Sequence, residues 1–82
     1  KEEMLQLLLR DESAVVRENA LRMAEDYLVQ SNQLWTEVQH RMSDGNDRVR
    51  MQAALSISTL PVDFLKAHEE ELTETFAKDA GL

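Results

Sequence analysis

The sequence contains no cysteine. Disulfides, thiolate catalysis and cysteine-based metal sites are therefore excluded from this stretch, whatever its compartment. Proline occurs once, at Pro61, and glycine only at Gly45 and Gly81. With so few breakers, long segments are free to be helical and the turns must be short. Aromatic residues make up only 5%. No β-branched run alternates with polar residues over the length of a strand, so strands have little support. No apolar run approaches the ~20 residues a membrane-spanning helix needs. The stretch Met4–Leu9 is already interrupted by Gln6. Positive charge is scarce: 9 Lys and Arg face 16 Asp and Glu, for a net charge of −7. Such a balance repels phosphate backbones and argues against nucleic acid as a ligand. The excess is concentrated at the end, where residues 61–82 hold six acids and two bases against ten and seven in residues 1–60.

What is present is a helix-forming vocabulary of Ala, Leu, Glu, Gln, Arg and Met. The hydrophobic share of 43% is ordinary for a globular chain. Its 82 residues suffice for one small domain. A domain of this size hides only about 60% of its unfolded surface, which predicts modest stability. Lys1 opens inside a helical pattern, so we expect a fragment of a longer protein, with no membrane insertion.

An internal repeat organises the chain. Asp11, Val16, Arg17, Ala20 and Leu21 match Asp44, Val49, Arg50, Ala53 and Ala54 at a constant offset of 33 residues. Leu5 and Leu9 match Val38 and Met42 upstream, and Ala24 matches Ile57 downstream. Ser13 and Asn46 share one repeat position, and both residue types accept hydrogen bonds from the orphan N–H groups of a first helical turn. Behind Ser13, the residues Val16, Ala20, Met23, Ala24, Tyr27 and Leu28 recur at helical spacing. Behind Asn46, Val49, Ala53, Ile57 and Leu60 do the same. The small matched Ala lets a neighbouring helix come close. A shorter helix precedes each cap. Residues 2–10 would turn Met4, Leu5, Leu8 and Leu9 inward, and residues 33–43 would turn in Leu34, Trp35, Val38 and Met42. Ser31 or Asn32 offers a cap for the second of these, and Gly45 a tight turn. After Pro61, one helix over residues 62–78 would turn in Leu65, Leu72 and Phe76, and the sequence stops at Asp79-Ala80-Gly81-Leu82, where a partner helix would be expected to begin. The pattern predicts an all-α chain of about five helices. It reads as repeat one over 1–30, repeat two over 31–60 and an incomplete repeat three over 61–82. An aspartate at position 16 or 49 should unfold it, since a buried charge there has no partner.

The pattern Asp, then Val five residues on, then Arg, then Ala three further resembles the HEAT-repeat signature. It occurs as Asp11/Val16/Arg17/Ala20 and again as Asp44/Val49/Arg50/Ala53, and the resemblance covers about residues 1–60. It implies an α-α superhelix, a HEAT-like solenoid, acting as a non-catalytic scaffold that binds another protein or other domains of its parent chain. It also implies a ladder of hydrogen bonds between repeats supplied by Asp11, Arg17, Asp44 and Arg50. The second helices would present Arg22, Glu25, Arg48 and Gln52 to a partner. Repeats of this kind bury their apolar faces against neighbours, so open ends predict exposed flanks and a route to dimerisation. The runs beginning at Val16 and at Asp47 also resemble HEAT-like segments of large exported planctomycete proteins that join a dehydrogenase-like β-propeller to a c-type haem domain. That resemblance implies a spacer role inside a multidomain redox protein. The haem-attachment motif Cys-x-x-Cys-His is absent, so no cofactor is carried over. The compartment stays open between the cytoplasm and, for such a parent, the exported space.

Other chemistry finds weaker footing. The chain has two histidines, His40 and His68, with no second His at four-residue spacing, and the Glu69–Glu71 run beside His68 reads more simply as solvated helix surface. Glu69, Glu70, Glu71 and Glu74 are expected on an exposed helix surface, without the burial that general acid–base work requires. An acidic patch for a basic partner is the functional alternative, and solubility the plain one. Trp35 and Tyr27 would stack on a base only beside a basic surface. Here Arg17, Arg22, Arg48 and Arg50 are interspersed with Glu18, Glu25 and Asp47, so Trp35 reads as an interhelical filler and Tyr27 as a rim residue. No phosphate-binding glycine loop and no nucleophile–base pair can be assembled, so no enzyme activity, metal or cofactor is expected.

Overall fold

A computed structural model describes residues 1–79. It is all-α among those residues: α1 (Glu2–Leu8), α2 (Ala14–Ala24), α3 (Asn32–His40), α4 (Asp47–Ser58), α5 (Val62–Ala67) and α6 (Glu69–Asp79). Short 3₁₀ turns, Glu25–Tyr27 and Arg41–Ser43, extend α2 and α3. The expected start of a partner helix at Ala80-Gly81-Leu82 lies outside the described residues.

The helices begin where side chains can accept from the first turn. Ser13 Oγ accepts from the Val16 N–H at 3.4 Å, and Ser31 Oγ from the Leu34 N–H at 3.1 Å. Asn46 Oδ1 accepts from Arg48 and Val49 at 2.9 and 3.2 Å. Each cap of this kind contributes about 1 kcal/mol. The turns leading into α2 and α4 are built alike. The Asp11 carboxylate accepts from the Ser13 N–H at 2.9 Å, and the Asp44 carboxylate from the Asn46 N–H at 3.0 Å. The Asx turn at Asp44–Asn46 reverses the chain without a left-handed residue. Gly45 is accordingly not needed for its freedom: its backbone is outside the left-handed region, and a Cβ would meet nothing within 4 Å.

Two layers result, and the molecule measures 29 × 29 × 17 Å. One layer sets α1 beside α3 and α6 against the end of α3; the other sets α2 beside α4. Ala20, Ala24 and Ala53 are fully buried, in keeping with a close approach of α2 to α4. The core gathers Leu5, Leu9, Leu21, Leu28, Leu34, Trp35, Val38, Met42, Val49, Ile57, Leu60 and Leu72.

Several inward expectations change. Met4, Met23 and Phe76 are exposed, while Val16, Leu8, Tyr27 and Leu65 are half-buried. Leu21, recognised in the sequence only through its match to Ala54, is completely buried. The helix expected over 62–78 divides at His68, whose backbone leaves helical geometry (φ −110°, ψ 18°). The break coincides with a ring cluster. Trp35 meets Phe64 edge-on at 5.1 Å and His68 at 5.2 Å, and Phe64 and His68 lie 4.3 Å apart.

Candidate interaction surface

The matched Asp and Arg residues lie at the joint between the two helix pairs. Arg17, on α2, donates from Nε and Nη2 to the two carboxylate oxygens of Asp44, both at 2.9 Å. Its remaining Nη1 donates back to the carbonyls of Asp11 and Glu12 at 2.7 and 3.1 Å. Arg50 repeats the second half of this arrangement, donating from Nη1 to the Asp44 carbonyl at 2.6 Å. Both arginines thus reach a carbonyl six residues back, one repeat apart. Asp11 serves through its own turn and its carbonyl, and its carboxylate makes no arginine bond among the described contacts. Of the four matched residues, Arg17 and Asp44 form the rung that joins the pairs. Arg41 adds a third arginine bond to Asp44 at 3.1 Å.

Electrostatics at this joint follow the geometry. Burial alone would push the Asp44 carboxyl up. Hydrogen bonds from Arg17 and the Asn46 N–H, with the charges of Arg17 and Arg41, outweigh it and hold Asp44 below the usual carboxylate range. The Arg17 guanidinium is pushed up, chiefly by its bonds to Asp44. In the other layer, Arg10 clasps the buried Glu37 through Nε at 3.0 and 3.1 Å and through Nη2. Those bonds lower the Glu37 carboxyl against the upward push of burial. Neither Arg10 nor Glu37 was expected as a contact. The signal lay in their spacing: Gln6–Gln33, Arg10–Glu37 and Arg17–Asp44 all bridge 27 residues.

The four residues expected to face a partner separate into two groups. Arg22 and Arg48 are exposed, with side chains 51% and 78% accessible, and both reach the carboxylate of Glu18, at 2.9 and 3.6 Å. Gln52 does not face outward: it is only 7% exposed. Its Nε2 donates to Ser56 Oγ at 3.0 Å, and Ser56 Oγ donates to Glu25 Oε2 at 2.7 Å. Gln52 and Glu25 therefore belong to a polar joint between α2 and α4, because the side of α4 that carries Gln52 and Ser56 is covered by α2. Periodicity hid this, since polar residues on a buried face read as surface. Beside the joint runs a groove of about 380 Å³ lined by Glu18, Arg22, Asp47, Arg48, Met51, Gln52 and Leu55. Met51 and Leu55 are exposed along it, and Val15 on the adjoining surface beside Arg22 and Arg48.

A second polar centre lies at α6. The Glu71 carboxylate accepts from Trp35 Nε1 and Gln39 Nε2, both at 3.2 Å, and pairs with His68 Nδ1. Burial raises the Glu71 carboxyl, but the bonds from His68, Gln39 and Trp35 leave it lowered overall. The Thr75 hydroxyl meets Gln39 and the Glu71 carbonyl. Trp35 thus fills an interface between helices. Glu69, Glu70 and Glu74 stay exposed. Among the described residues no group of three or more His, Asp or Glu side chains is placed to hold a metal ion. No described helix is long and apolar enough to cross a membrane.

Compared with family models, curated proteins and solved structures, the chain matches none.

Proposed function

We propose that this chain is a segment of a HEAT-like solenoid that acts as a non-catalytic protein-interaction module. Its repeats would span 1–30 and 31–60, with the first helices of a third over 61–82. The observation that carries the reading is the Arg17–Asp44 rung, together with the repeated Asx turns and the repeated Arg-to-carbonyl bonds one repeat apart. A register conserved down to single hydrogen bonds supports stacked repeats, whose contact surfaces are built from successive second helices. Those helices here are α2 and α4. Their outer groove combines exposed Met51 and Leu55 with the mixed charges of Arg22, Arg48, Glu18 and Asp47, an amphipathic strip suited to a protein segment with apolar and polar side chains. Binding there works by shape and polar complementarity, without bond chemistry.

The test compares partner capture by the wild-type chain with capture by Arg48→Glu and Leu55→Asp. Both positions are exposed, so both variants should melt within a few degrees of wild type. Gln33→Glu, on the opposite layer, serves as control. Partners lost with the first two and kept with the control would support the α2–α4 strip as the binding surface. Equal capture by all three would refute it.

A further inference from the structure

The 33-residue register provides an internal control for one exposed surface. Repeat two meets repeat one through Glu37 of α3, which accepts from Arg10, and through Ser56 of α4, whose hydroxyl reaches the Leu21 carbonyl and Glu25; Val49 and Gln52 of α4 are buried as well. The register-equivalent positions in repeat one are Met4, Val16, Asn19 and Met23. Their exposures differ sharply. Glu37 is 5% exposed and Met4 62%; Ser56 is 0% exposed and Met23 54%. Val49 is completely buried, while Val16 is half-open. The α1–α2 flank is thus the same kind of surface as the interface already present between the repeats, but uncovered.

The chemistry of the two surfaces also differs. Repeat one offers repeat two a cation and a carboxylate: Arg10, received by Glu37, and Glu25, received by the Ser56 hydroxyl. On the open flank the receiving positions hold thioethers, which can neither neutralise a guanidinium nor donate a hydrogen bond to a carboxylate. A neighbour stacked in register would leave both charges desolvated and unpaired if it carried them. Met instead fills irregular apolar contacts well.

We propose that the α1–α2 flank is a docking surface for a further α-helical hairpin, stacked parallel to repeat one at the same offset. Its residues facing Met4 and Met23 are apolar where repeat one itself carries Arg10 and Glu25. The interfaces are keyed: a polar key joins repeats one and two, and an apolar key selects the neighbour on the other side. This rests on the repeat stacking invoked for the proposed function but not on the α2–α4 groove, so a loss of binding at the groove would leave it standing.

The test extends the full chain with a duplicate of residues 1–33 placed directly ahead of Lys1, which preserves the offset. One duplicate is unaltered; the other carries Arg10→Leu and Glu25→Leu within the added copy only. The apolar-keyed duplicate should raise the melting temperature above the unaltered one by roughly 5–10 °C. Converting the recipient with Met4→Glu and Met23→Ser should reverse that order. Peroxide oxidation gives a readout independent of duplicate stability. The apolar-keyed duplicate should slow oxidation of Met4 and Met23 several-fold and leave the exposed Met51 unchanged. Identical melting of the two extended chains, or no protection of Met4 and Met23, would overturn the proposal. So would reversible dimerisation of the 82-residue chain at micromolar concentration that Met4→Glu abolishes, since the occupant would then be a second copy.

Discussion

Removal of the Asp44 carboxylate is the most demanding test of the stacking. Its side chain is 3% accessible and accepts four hydrogen bonds: two from Arg17 at 2.9 Å, one from Arg41 at 3.1 Å and one from the Asn46 N–H at 3.0 Å. Asp44→Ala leaves Arg17, whose side chain is 15% accessible, without its two anionic acceptors. It also strips Arg41, whose Nε has no hydrogen-bond partner among the described residues. Breaking a buried ion pair from one side destabilises by about 3–5 kcal/mol. A domain of this length holds on the order of 8 kcal/mol in total, so roughly half would be lost. The melting temperature should fall by roughly 15–25 °C. Arg17→Met should do less harm, because Asp44 keeps Arg41 and the Asn46 N–H and the methionine keeps the aliphatic stem. Asp44→Asn should fall between, retaining an oxygen for Asn46 while turning donors toward Arg17. Urea denaturation followed by circular dichroism would rank the three variants, with Arg48→Ala as an exposed reference. If Asp44→Ala unfolds at the same urea concentration as Arg48→Ala, the rung contributes nothing and the reasoning fails.

Further outcomes follow from the same contacts. Val49→Asp should leave no cooperative thermal transition, since Val49 is fully buried, whereas Val16→Asp should still fold because Val16 is half-open; equal damage from both would contradict the uncovered flank. Asp44 and Glu37 have folded pKa values below their unfolded ones, so their stabilisation is complete above the unfolded values of about 3.9 and 4.3. It is lost as pH falls through the folded values, because the unfolded chain binds those protons first. The urea midpoint should therefore drop steeply below about pH 4.5, and a flat profile from pH 5 to pH 3 would be the contrary result. Gly45→Ala should be neutral or stabilise by about 0.5 kcal/mol through the unfolded chain, given its unstrained backbone and open surroundings; a loss above 1 kcal/mol would show that the turn needs glycine.

The all-α architecture was legible because caps, breakers and apolar spacing agreed over residues 1–60. Ser13 and Asn46 stood at matched positions ahead of matched apolar stripes, and both cap their helices. Arg17 and Asp44 stood at matched repeat positions, but which partner each bonds was not legible. Arg17 bonds the next repeat's Asp44 side chain and only the carbonyl of Asp11. Periodicity assigns a face to a residue without saying whether another helix covers that face. Hence Gln52 read as surface and is buried, and Met23 read as core and is exposed. The break at His68 escaped because neither Ala67 nor His68 is a strong helix breaker, and the bend arises among rings from separate helices.

Trp35 is the only tryptophan in the chain, and its indole N–H is held by Glu71 of α6 while Phe64 and His68 meet its ring. The molecule therefore carries an optical gauge of its own C-terminal end. Release of α5 and α6 would move that one fluorophore from an apolar ring cluster into water and shift its emission to longer wavelength. Loosening of α1 and α2 would leave the signal almost unchanged. Far-ultraviolet dichroism registers every helix alike. A fluorescence melt that precedes the dichroism melt would thus measure fraying of α5 and α6 as a separate cooperative step, and coincident curves would mean that both ends come apart together.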